Sequence, residues 1–80
     1  MAHHELKCHP GPFRAVRNRI KTFEIRKNDR NFQMGDTLIL REYDPRKGVY
    51  TGEGVMRAIT YILEGGQYGL QEGYIAMALV

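Results

Sequence analysis

Short apolar-bearing runs, cut apart by glycine and proline, most constrain what this chain can fold into. His9-Pro10-Gly11-Pro12, Gly35-Asp36, Asp44-Pro45-Arg46-Lys47-Gly48 and Gly65-Gly66-Gln67-Tyr68-Gly69 are all turn signals. Between them lie stretches with the period-two alternation of strands. His3 to His9 sets Leu6 and Cys8 against Glu5 and Lys7, and Thr37 to Tyr43 sets Leu38 and Leu40 on one parity. Lys21 to Lys27 is a second strand in chain order, and Val49 to Thr51 is a short return strand after the Asp44–Gly48 turn. Val55 to Leu63 is apolar on both parities toward its end and reads as central, while Tyr74 to Val80 reads as fully buried. About six strands result.

One stretch departs from this pattern. From Pro12 to Arg19, Phe13 and Val16, followed by Ile20, fall at i, i+3 and i+7, a single helical stripe. Pro12 suits the first helical position, where its missing N–H costs nothing. At about 100° per residue, Arg14 and Arg17 border that stripe on the same side. A helix of about two turns is marginal alone and must be held by packing. The expected class is therefore α+β but mainly β: a small antiparallel barrel of about six strands with one short helix after the first.

The chain has 80 residues, which argues for one domain, taken as residues 4–80, with residues 1–3 an N-terminal extension or frayed end. A chain this short buries only about 60% of its unfolded surface, so a monomer of modest stability or a weak dimer is expected. Its single cysteine, Cys8, excludes an internal disulfide and fits a cytoplasmic setting. The last apolar run is far shorter than the roughly 20 residues that span a bilayer, and no signal-peptide pattern precedes it, so no membrane partner is expected. His3, His4, Cys8 and His9 match no standard structural zinc spacing, and neither metal nor cofactor is expected.

Charge is unevenly placed. Residues 1–36 carry eight Lys/Arg against four Asp/Glu, and residues 37–80 carry four against five. An anionic partner would meet the N-terminal half.

Several segments together resemble a known family. H-E-L-K at His4–Lys7, K-T-F-E-I-R-K-N-D-R at Lys21–Arg30, F-Q-x-G-D at Phe32–Asp36, R-E-Y-D-P at Arg41–Pro45 and G-G-x-x-G-L-x-x-G-Y at Gly65–Tyr74 carry the likeness. They look like a bacterial and phage family close to the ASCH domains of the PUA-like superfamily. That resemblance implies a PUA-like barrel, commonly an RNA-binding module. Lys21, Thr22, Glu24 and Arg26 match the ASCH motif G-x-K-T-x-E-x-R, with Arg19 standing at its leading glycine. Some ASCH-like relatives are amidohydrolases of acetylated cytidine that use Lys, Thr and Glu. Lys21 matches their lysine, Glu24 stands where their threonine would be, and Glu64 or Glu72 corresponds to the distant Glu only by rough position.

The expected function is binding of RNA or a nucleotide-like ligand in a basic groove between the helix and the second strand. Arg14, Arg17, Arg26, Lys27 and Arg30 would hold phosphate. A carboxylate repels phosphate, so Glu24 on that surface makes sense as the acceptor for a base edge, with Thr22 beside it. The competing account of the same residues is a solvated face, with Glu24 paired to Arg26 or Arg17. Tyr43, Tyr61, Tyr68 and Tyr74 would stack bases or fill the core, and Tyr68 in its glycine loop is the best stacking candidate. Two alternatives remain: a nucleoside hydrolase built on Lys21, Thr22 and Glu24, and a protein-interaction module using an exposed sheet edge. Alternation puts Phe23 and Ile25 inside, with Thr22, Glu24 and Arg26 outside. Lys21 then meets Glu24 only if the chain turns or bulges where the strand starts.

Overall fold

A computed structural model describes all residues, 1–80. The elements run β1 (His3–Cys8), α1 (Pro10–Arg17), β2 (Phe23–Lys27), β3 (Thr37–Asp44), β4 (Val49–Glu64) and β5 (Tyr74–Leu79). They form one sheet in the order β1-β3-β4-β5-β2. The fold is thus mainly β with one short helix after the first strand, and no helix is long and apolar enough to cross a membrane.

Three expectations are corrected. There are five strands because Val49–Thr51 and Val55–Leu63 join into one 16-residue strand, β4. The strand continues through Gly52, Glu53 and Gly54. Gly52 takes φ +93° where the β3–β4 register shifts between Arg41 and Tyr43, so its missing Cβ serves a bulge. The sheet is mixed: β1 runs parallel to β3, and the other pairs are antiparallel. Finally, β1 and β2 stand at the two ends of the strand order and share no ladder, so the sheet does not close into a barrel through its backbone. Side chains bridge those ends instead. Arg26 on β2 donates from Nη2 to the Lys7 carbonyl at 2.9 Å, and Arg30 donates from Nη1 to the Glu5 carbonyl at 2.6 Å.

The core lies on one face of the sheet. Leu6 and Cys8 of β1, Leu38 and Leu40 of β3, Ile59 of β4, and Ile75, Met77 and Leu79 of β5 are buried there with Phe13, Val16 and Phe32. Alternation in β5 is strict, and the intervening Ala76 and Ala78 are only half-buried. β4 is central, as its apolar character implied, but a register shift between Ile59 and Tyr61 leaves Tyr61 exposed.

Helix α1 starts at Pro10, two residues earlier than Pro12, because Pro10 already meets the N1 preference. It packs on β3 and sinks Phe13 and Val16 into the core. Each such side chain contributes roughly 1.5–3 kcal/mol by burial. The third residue of the stripe, Ile20, is exposed because the helix has ended by then. That ending is a Schellman motif. Arg19 adopts φ +59°, its N–H reaches the Val16 carbonyl at 3.0 Å, and the Ile20 N–H reaches that of Ala15 at 2.9 Å. Arg57 of β4 adds a donor from Nη2 to the Val16 carbonyl at 3.2 Å.

Opposite the helix, the N-terminus is fastened by Asp36. One carboxylate oxygen accepts from the Ala2 N–H at 3.0 Å; the other meets His4 Nε2 at 2.8 Å and the Gln33 N–H at 3.0 Å.

Candidate functional site

The site is built on β2, whose sidedness is the reverse of its hydrophobic pattern. Glu24 pairs in register with Met77 and Arg26 with Ile75, both fully inside, so Glu24 and Arg26 point to the core face. Glu24 is 4% exposed. Phe23 and Ile25 pair with Ala78 and Ala76 and lie half-exposed on the outer face, which corrects the expectation that they would be buried. The inner positions of β2 overlook the unpaired gap to β1, and an ion cluster fills that place rather than apolar packing.

Lys21 joins the cluster from outside the strand. Its N–H donates to the Ala15 carbonyl at 3.0 Å, so the turn that ends the helix also holds Lys21 ahead of the first β2 residue. From there Nζ lies 2.8 Å from Glu24 Oε1, while Arg26 Nε lies 2.7 Å from Glu24 Oε2. The turn required for Lys21 and Glu24 to meet is therefore present. Both carboxylate oxygens are engaged by cations in charge-assisted geometry.

Next to this triad, in chemistry the alternation did not single out, lies Cys8. Its thiol is pushed up from the usual range, first by burial and then by the Glu24 carboxylate, with Lys21 and Arg26 acting in the opposite sense. A buried, protonated thiol is a poor nucleophile. Glu42, in register with Cys8 on β3, is a second buried carboxylate. Thr51 donates to its Oε1 at 2.8 Å, Arg14 Nε stands off at 3.8 Å, and Oε2 has no hydrogen-bond partner. The signal for Glu42 was in the sequence: it shares the parity of Leu38 and Leu40.

Two adjoining clefts open along the β1/β2 gap. One, of about 340 Å³, is lined by Lys7, Cys8, His9, Pro12, Lys21, Glu24, Ile25 and Arg26. The other, of about 290 Å³, is lined by Leu6, Ile25, Arg26, Lys27, Asp29, Arg30, Phe32 and Tyr74. They share Ile25 and Arg26. A third cleft, of about 550 Å³, lies beside the glycine loop and carries Glu64 and Glu72, an acidic lining.

The five residues expected to hold phosphate therefore fall into two groups. Arg26, Lys27 and Arg30 lie along the gap between β1 and β2. Arg14 and Arg17 sit on the other flank of the helix, facing Glu42 and Glu53, with Arg17 Nη1 3.5 Å from Glu53 Oε1. Thr22 is exposed and lines neither gap cleft; its carbonyl accepts from the Leu79 N–H. Tyr68 is 87% exposed at φ +53° in the glycine loop and lines none of the clefts. Tyr43 is stacked on His9 and edge-on to Tyr50, Tyr61 is exposed, and Tyr74 borders the second gap cleft.

A small, mainly β chain with a buried glutamate held between a partly exposed lysine and arginine at an unclosed sheet edge is the class these features define. Residues 3–79 match the family described as "Domain of unknown function (DUF3850)", and the chain belongs to that family. It is also 44% identical over 61 residues to the "Uncharacterized 12.9 kDa protein in GpA 3'region" of Escherichia phage P2, a match covering 76% of this chain and 54% of the phage protein. The chain thus spans about half the length of the relative it matches.

Proposed function

We propose that the protein binds single-stranded RNA or a nucleotide-like ligand along the β1/β2 gap. One observation carries this reading: Lys7, Lys21, Arg26, Lys27 and Arg30 line two adjoining clefts in which Glu24 and Asp29 are the only carboxylates. In its favour, the cations are tethered rather than loose. Arg26 and Arg30 are each fixed to a β1 carbonyl, so little side-chain entropy is lost when an anion arrives. Glu24, nearly inaccessible between Lys21 and Arg26, holds those two cations in place along the cleft. Arg14 and Arg17 play a lesser part in this scheme, since they face the opposite flank. On this reading the fold is a PUA-like, ASCH-like relative whose β1/β2 gap is bridged by side chains, at work in the cytoplasm of a bacterial or phage-infected cell.

The test is titration of the chain with labelled single-stranded RNA across a salt series. With two or three phosphates neutralised, log affinity falls with log salt at a slope of about −1.4 to −2.1. Arg26→Ala weakens binding to every sequence tried. Binding that is absent, or indifferent to salt, ends the proposal.

A second reading is favoured by the 2.8 Å approach of Lys21 to Glu24 inside a cleft of nucleoside size. The contact places a lysine and a glutamate together at the cleft wall, two of the residue types that a hydrolase of acetylated cytidine-type substrates would require. Incubation with N4-acetylcytidine decides it: equal turnover by wild type and Lys21→Ala refutes the enzyme.

A further inference from the structure

We infer that the preferred ligand is two nucleotide units long, with its linking phosphodiester on Arg26. This rests on the nucleotide-binding reading above and specifies what that site takes. Each gap cleft, at about 340 and 290 Å³, is near the lower end of small-molecule pockets, enough for one nucleoside rather than two. Their linings differ. The first offers the Lys21 ammonium, about a quarter exposed beside Glu24, which suits an acceptor on the edge of a base. The second has an apolar floor that includes Phe32 and Tyr74 beneath Lys27 and Arg30, which suits a base face with a charged backbone at the rim.

Arg26 is the wall between them. Its guanidinium is pinned at two points, Nε to Glu24 Oε2 at 2.7 Å and Nη2 to the Lys7 carbonyl at 2.9 Å. Neither bond uses Nη1, which has no hydrogen-bond partner in the chain, and Arg26 lines both clefts. A planar guanidinium held this way matches a phosphodiester better than a loose surface cation would. A mononucleotide would fill one cleft and leave the other solvated. Pro12, in the first turn of α1, borders the first cleft.

The experiment compares calorimetric affinities of the whole chain for cytidine 5′-monophosphate, the dinucleoside monophosphate CpC, the trinucleotide CpCpC, and CpC carrying an uncharged methylphosphonate linkage. CpC binds about tenfold or more tightly than the mononucleotide, because a second base is added while the single phosphate stays on Arg26. CpCpC binds within about twofold of CpC, since the cleft that continues past Tyr74 is lined by Glu64 and Glu72, which repel a further phosphate. The methylphosphonate loses most of the gain, which tests the Arg26 contact without altering the protein, and Arg26→Lys narrows the same ratio with the folded spectrum kept as a control. Equal affinity for CpC and the mononucleotide overturns this inference while leaving nucleotide binding in place. A further tenfold gain for CpCpC also overturns it, in favour of an extended track. Absence of binding by all four overturns it through the failure of the nucleotide reading itself.

Discussion

Lys21 Nζ lies 2.8 Å from Glu24 Oε1, although strict strand alternation would set the two residues on opposite faces. The contact is possible because Lys21 belongs to the turn closing α1 and only Glu24 belongs to β2. Glu24 is nearly inaccessible, whereas Lys21 and Arg26 remain about a quarter exposed, at 23% and 29% for their side chains. Removing the carboxylate and removing one cation are therefore unequal changes.

In a double-mutant cycle in urea, Glu24→Gln should cost more than Lys21→Met, since it removes the negative charge that both cations face and leaves one acceptor oxygen for the two of them, while Lys21→Met leaves Arg26 on the carboxylate. Each single change is expected to cost about 1–3 kcal/mol, with a coupling of about 1 kcal/mol. Strict additivity would show that the pair contributes nothing to the fold.

The turn that delivers Lys21 depends on Arg19 at φ +59°. A helix C′ position in the left-handed region is one that glycine occupies without the steric cost a Cβ brings. Arg19→Gly should be neutral to mildly stabilising, within about 1 kcal/mol, because relief of the backbone offsets the added freedom of the unfolded chain. Arg19→Val, β-branched and ill-suited to positive φ, should destabilise by about 1–2 kcal/mol. Thermal unfolding midpoints of the three proteins rank them, and Val equal to Gly would disprove the strain.

Much of the frame was legible because it is local. Alternation at Leu6/Cys8 and Leu38/Leu40 correctly named the buried face of β1 and β3, and the Phe13–Val16 spacing named the buried side of the helix. What failed was non-local. Nothing within F-E-I-R-K shows that the inner slots of β2 face an unpaired gap, where Glu24 finds Lys21 and Arg26. An apolar-inside rule therefore turns the strand over. Likewise, Gly52 and Gly54 act as a turn or as a bulge depending on what lies across from them, and here it is the register slip beside Glu42. The Lys21–Glu24–Arg26 constellation was visible as a motif, but its geometry was not.

Asp36 makes the fold acid-sensitive in a defined window. The hydrogen bond from His4, followed by that from the Ala2 N–H, lowers its carboxyl from 3.8 to about 2. A depressed folded-state value means the unfolded chain takes up the proton first. The contribution to stability is complete above about pH 4 and is lost as pH falls through about 2. Urea midpoints measured from pH 5 to pH 2 should decline over this interval, and Asp36→Asn should flatten that part of the decline while lowering stability at pH 7 by about 1–3 kcal/mol. An unchanged slope in Asp36→Asn would assign the acid lability to other carboxylates.

Gly65, at the end of β4, is constrained by space rather than by dihedral angle. A Cβ there would lie 2.0 Å from the Gln71 carbonyl oxygen and 2.7 Å from that of Tyr74. These are backbone atoms that cannot step aside, and the Gly65 N–H bonds to the same Tyr74 carbonyl at 2.8 Å. This close approach folds the glycine loop back so that β5 starts at Tyr74, which borders the second gap cleft. Gly65→Ala should therefore cost about 3 kcal/mol and disturb that cleft as well as the loop. Gly69 is the control: it has φ +78° but open space around it, so Gly69→Ala should cost only about 1 kcal/mol and leave ligand affinity alone. Chemical denaturation ranks the two variants, and ligand titration of whatever remains folded completes the test. Equal, small losses at both sites would mean that the Gly65 contact is not maintained in solution.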